Sequence, residues 1–170
     1  MHQRFNRSHP AEGVFVFRGQ PTIVFLTACS RKRKPVLDNS IVHATLIDSW
    51  LEASGWLIGF YLIMPDHIHL FCAPSDESHE IETWVTFWKR CFRRRLKRNE
   101  PLFQAHSFHH RLRQNESYSE KWDYVRKNPV RAGLIADPDH WPYQGVLNEL
   151  DWCGSAERRP TNRRGSARFW

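Results

Sequence analysis

The chain has 170 residues, a net charge of +7 and four cysteines, a size that suits one domain or one domain with a tail. No run of about 18 apolar residues occurs, so no membrane span is expected, and the polar stretch Met1 to Pro10 lacks the apolar core of a signal peptide. Cys29, Cys72, Cys91 and Cys153 lie far apart with no CxxC pair, which argues against a disulfide framework or a Cys-rich zinc site and fits a reducing cytoplasm. Hydrophobic residues make up 41% of the chain, enough for a core, and the basic balance points to an acidic partner, most commonly nucleic acid.

In chain order, residues 1–20 read as a loose leader. Pro21 to Cys29 is apolar and β-branched, as a strand should be, and Arg31-Lys32-Arg33-Lys34-Pro35 follows as a basic turn. Asn39 to Ala53 predicts a helix that Gly55 stops. Trp56 to Met64 and His67 to Ala73 read as strands of an antiparallel hairpin, broken only at Pro65-Asp66. Glu77 to Arg98 is a long amphipathic helix. Ile81, Trp84, Val85, Trp88, Phe92 and Leu96 form its apolar stripe, and Lys89, Arg90, Arg93, Arg94, Lys97 and Arg98 its basic face. Phe108 to Leu112 suggests a short strand. A helix starts near Ser117, where Ser117-x-x-Glu120 has the capping-box pattern, and should end near Asn128-Pro129, because the residue before proline avoids helical angles. A short turn follows through Val130 to Leu134, and 151–170 reads as a basic C-terminal tail, mostly disordered from Arg158 to Trp170. The order strand, helix, strand, strand, helix, strand predicts a ferredoxin-like (RRM-like) α+β fold, an antiparallel sheet with helices packed on one face.

Two positions carry chemistry. Side chains alternate along a strand, so His67 and His69 share one face while Ile68, Leu70 and Cys72 enter the core from the other. Two such imidazoles can converge on a divalent ion, with a third ligand from elsewhere and open positions for substrate. The pattern is short, and two solvated histidines at a core edge would read the same. Tyr124 lies off the apolar stripe of its helix, which Tyr118, Trp122 and Val125 form; its helical neighbours are polar. It is either a surface ring or a working hydroxyl. Asn128, one turn on, is either a helix terminator or a third metal ligand through its side-chain oxygen. A divalent ion on His67, His69 and Asn128 would offset charge building on a scissile phosphate. Tyr124 would attack phosphorus, with Lys121, Lys127 or the metal favouring its phenolate.

These residues resemble a known family. Met64-Pro65-Asp66-His67-Ile68-His69-Leu70-Phe71 is similar to the His-hydrophobe-His (HUH) motif of single-tyrosine transposases. The run from Glu116 to Leu134, with Tyr124 and Asn128-Pro129-Val130-Arg131-Ala132-Gly133-Leu134, resembles the tyrosine helix of REP-associated tyrosine transposases, and Trp141-Pro142-Tyr143 the short motif that follows. The resemblance covers roughly residues 21–150. It implies a bacterial, cytoplasmic, nucleoid-associated enzyme using Mg2+ or Mn2+ on single-stranded DNA beside REP-like hairpins, as a monomer or homodimer. His67, His69 and Asn128 would be metal ligands and Tyr124 the nucleophile, giving a 5′-phosphotyrosine. One position departs: His109 stands where the family usually has aspartate. Arg31, Lys32, Arg33, Lys34, the basic helix face, Lys121, Lys127 and Arg131 are candidate phosphate contacts, which give affinity without sequence reading. Two other readings fit the same residues: a non-catalytic RRM-like nucleic-acid-binding regulator, and a zinc hydrolase using the histidines with water.

Overall fold

The computed structural model describes residues 22–75, 80–113 and 116–150. The expected leader 1–20 and tail 151–170 lie outside the described residues. The order is β1 (Val24–Cys29), α1 (Ser40–Glu52), β2 (Trp56–Met64), β3 (His67–Pro74), α2 (Ile81–Arg95), β4 (Phe108–Arg111), α3 (Tyr118–Val125), α4 (Asn128–Arg131) and β5 (Gln144–Val146). The strands form one five-stranded sheet in the order β4-β1-β3-β2-β5, with every neighbouring pair antiparallel. The first four strands have the expected ferredoxin-like arrangement, and β5 adds an edge beside β2.

Alternation decides which side chain faces where. Val24, Leu26 and Ala28 of β1 and Ile68, Leu70 and Cys72 of β3 are fully buried against α1 and α2. Helix α1 meets this layer through Val42, Leu46 and Trp50, and α2 through Ile81, Trp84, Val85, Trp88 and Phe92. Asn39 caps α1 by accepting from the Val42 N–H at 2.9 Å. The Trp84 indole donates to the Ala53 carbonyl at 2.6 Å, tying α2 to the end of α1. Helix α2 ends at Arg95, short of the expected Arg98, and Lys97 takes a left-handed φ of 51° there.

The helices expected on one face are α1 and α2; α3 lies on the other. Tyr118 meets Phe71 with ring centroids 5.2 Å apart, and Trp122 stacks on Phe60 at 4.6 Å and 3°. A register shift between Ile58 and Tyr61 puts an extra residue in β2 here. A Cβ on Gly59 would stand 2.4 Å from Tyr118 Oη, so glycine is what lets α3 seat. Tyr118 Oη accepts from the Phe60 N–H at 3.2 Å, and Ser117 Oγ from the Glu120 N–H at 3.2 Å, as the capping pattern predicts. Helix α3 stops at Val125, earlier than the proline alone suggested, and Pro129 sits in the first turn of α4, where no N–H is needed. Gly133, at φ 69°, closes α4: its N–H donates to Val130 and that of Leu134 to Pro129. The Trp141 indole then pins the returning chain to the Ile63 carbonyl at 2.9 Å.

Candidate metal and tyrosine site

The β1–β3 register sets Cys29 opposite His67 and Thr27 opposite His69, so all four side chains rise from the α3 face. His67 Nδ1–H donates to Asp66 Oδ1 at 2.6 Å, and Arg33 Nε pairs with the other Asp66 oxygen at 2.8 Å. A carboxylate only accepts, so in the neutral ring this bond puts the proton on Nδ1 and the lone pair on Nε2. His69 Nδ1 lies 2.9 Å from the Thr27 hydroxyl, and Phe25 stacks on its ring at 5.1 Å. The two Nε2 atoms come to 3.1 Å from one another. Two nitrogens each about 2.1 Å from an ion and at right angles would stand about 3 Å apart, so the donor pair fits one divalent metal. Burial first, then the charges of His67, Arg33 and Arg131, push His69 down to about 3, which keeps it neutral, the form that ligates.

Among the described residues no cluster of three or more His, Cys, Asp or Glu side chains could hold a metal. Asn128 supplies an amide oxygen, but here that oxygen accepts from Arg131. The same guanidinium lies 4.2 Å from the centroid of the Tyr124 ring and donates to the Tyr124 carbonyl at 2.9 Å. Its charge also reaches His69. Arg131 therefore links the nucleophile candidate, the amide and the histidine pair. Tyr124 itself is 64% exposed, off the buried stripe of α3 as its spacing predicted.

The expected phosphate contacts fall into groups. Lys89 points inward and donates to the Gln104 and Ala105 carbonyls and the Ser107 hydroxyl at 2.8, 3.1 and 2.8 Å. Burial pulls its pKa down to about 8. It staples α2 to the approach to β4, a use the periodicity did not reveal. Arg33 braces Asp66, Arg31 pairs with Glu100 and Arg94 with Glu52. Lys121 reaches over the Phe25 ring at 5.8 Å and Arg90 over Phe87 at 5.3 Å. Lys32 and Arg93 line a cavity of about 700 Å³ between α2 and residues 101–105, and Lys34 and Arg98 line a neighbouring one of about 550 Å³. Lys97 and Lys127 are exposed. His109 pairs with Glu82 of α2 at 3.1 Å, on the face away from the histidine pair. Sequence reasoning missed Asp66 and Thr27. Asp66 was readable, standing just before His67; Thr27 needs the strand register.

This is a ferredoxin-like fold that carries a His-x-His pair and a tyrosine helix on one sheet face. A solved structure described as a REP-associated tyrosine transposase bound to a REP hairpin has this fold, with a TM-score of 0.65 at 16% identity, covering 94% of this chain and 98% of that one. In sequence, the chain is similar to two bacterial proteins. One, from Haemophilus influenzae, is provisionally named a REP-associated tyrosine transposase (24% identical over 115 residues, 56% of this chain). The other, from Escherichia coli, is named a REP-associated tyrosine transposase (23% over 105 residues, 57% of this chain). The match spans 65% and 62% of those relatives, just under two thirds of each. No protein-family profile matches the chain. No helix among the described residues is long and apolar enough to cross a membrane.

Proposed function

We propose that this chain is a metal-dependent, REP-associated tyrosine transposase. On this reading it cuts single-stranded DNA beside a palindromic hairpin and rejoins it through a 5′-phosphotyrosine, acting in the bacterial cytoplasm as a monomer or homodimer. The observation that carries the reading is the pairing on one face of two converging imidazole Nε2 atoms with a tyrosine held by an arginine whose charge reaches His69. Relatives that share the name and a neighbour that shares the fold support it.

His67, His69 and Asn128 would hold Mg2+ or Mn2+, which would polarise the scissile phosphate. The protein's own groups do the rest. Asp66 and Thr27 hold the imidazoles with their Nε2 atoms convergent. Arg131 keeps the Tyr124 ring in place and, once a phosphate arrives, offers it a guanidinium. Tyr124 Oη attacks phosphorus and the bond from phosphorus to the 3′-oxygen breaks. The phenol proton is lost and the leaving oxygen departs as a 3′-hydroxyl. The ester keeps the phosphodiester linkage, so a 3′-hydroxyl can reverse the step onto another end.

The test is incubation with end-labelled hairpin strands from the gene's flanks, with Mn2+ or Mg2+, on a denaturing gel. A labelled strand bound to protein, absent with EDTA, with His67→Ala and with Tyr124→Phe, is the expected result. DNA binding with no covalent band across metals and flank sequences overturns it in favour of the regulator. Cleavage that survives Tyr124→Phe but is lost in His67→Ala points to the hydrolase.

A further inference from the structure

Phe108 is a large apolar side chain left 53% exposed at the β4 edge. Cross-strand register places it. Phe108 stands opposite Thr27, and Thr27 opposite His69, so the three side chains form one row on one face. His109, the next residue, pairs with Glu82 of α2, which confirms that Phe108 points to the opposite side, toward the histidine face. Neighbouring strands lie about 4.8 Å apart, so Phe108 is roughly 10 Å of backbone from His69, a gap that a base next to a bound phosphate can cross. Among the described residues no aromatic ring packs on Phe108, whereas Phe25, two residues along in the facing strand, is already stacked on His69.

The surroundings select the occupant. Lys121 lies over Phe25, which pairs across β1 and β4 with His110, two residues on from Phe108, and Arg131 lies over the Tyr124 ring. An apolar ring on a sheet face whose neighbouring aromatic carries a lysine over it suits a ligand with a flat face and an anionic backbone. We propose that Phe108 is a stacking platform for an unpaired DNA base that flanks the phosphate at His67 and His69. This rests on the transposase reading for the position of that phosphate. A duplex keeps its bases stacked on one another, so a platform of this kind selects single-stranded DNA.

The test uses the full chain carrying Tyr124→Phe, to stop turnover, and two labelled probes of equal charge: an oligothymidylate of about fifteen residues and an abasic phosphodiester of the same length. Phe108→Ala should raise Kd for oligothymidylate about 5- to 100-fold and leave the abasic strand within about twofold. Phe108→Trp should restore the difference between probes, and unchanged melting should show that the fold is intact. Equal losses on both probes, no loss on either, or no binding of oligothymidylate by the parent chain overturns the platform. So does a change confined to sedimentation, which would assign the β4 edge to a contact between copies. The covalent-band assay on the wild-type chain separates the two ideas. A band with no base-dependent loss sinks the platform alone, and a base-dependent loss with no band sinks the transposase reading alone.

Discussion

The two faces of the sheet are built from the same strands and do opposite things. Toward α1 and α2, Trp50, Trp56, Trp84, Trp88, Phe92 and Phe103 are buried in one aromatic layer. Toward α3 the core is smaller, centred on Leu62, Phe71 and Val125, and it gives out where the polar side chains begin. Along β3 the change is made residue by residue: Ile68 and Leu70 are sealed, while His67 and His69 between and beside them are half-buried. One face holds the fold rigid and the other is free to carry unsatisfied chemistry, which is how a site can be exposed yet fixed.

Several substitutions would break or sharpen that contrast. Tyr124→Phe should abolish the covalent DNA band and leave the melting temperature unchanged, because the hydroxyl belongs to a ring 64% exposed. Trp88→Ala, on the other face, should cost about 3–5 kcal/mol in chemical denaturation by opening a cavity in the aromatic layer. Trp88→Phe should cost much less, since the indole N–H has no partner among the described residues. Gly59→Ala should fall between the faces: about 1–3 kcal/mol of stability for a Cβ 2.4 Å from Tyr118 Oη. On the transposase reading it should also cut strand transfer at least tenfold, because α3 carries Tyr124, the proposed nucleophile; full activity would show that α3 has room to shift. The smallest effect is with pH. Below about 6.5 the unfolded chain protonates a histidine that folded His69 refuses until about 3. The unfolded state then binds more protons, and stability should fall by about 1 kcal/mol between pH 7 and 5.5 in EDTA. His43, lowered by burial, acts in the same direction, so the share of His69 is read as the difference between wild type and His69→Gln.

Much of this was legible because it is periodic. The strand Trp56–Met64 was predicted with its observed bounds, and Tyr124 stood apart from Tyr118, Trp122 and Val125 by helical spacing alone. Three residues, Gln144 to Val146, are too short for alternation to show, so β5 went unseen. The bulge near Gly59 and the role of Thr27 depend on partners far along the chain, which no local pattern encodes. Lys89 is the clearest case: in sequence it belongs to a basic stripe, and in the fold two carbonyls and a hydroxyl claim it.

The ion pairs have a consequence for how tightly the chain can hold a polyanion. Arg31, Arg33, Arg94, Arg95 and Arg126 each have a carboxylate within 3 Å. A cation already matched inside the protein displaces no counterion from a phosphate backbone unless it first gives up its partner. Any grip on such a polyanion is therefore set by fewer charges than the composition counts. A plot of log affinity against log salt should be shallower than a stripe of basic residues suggests.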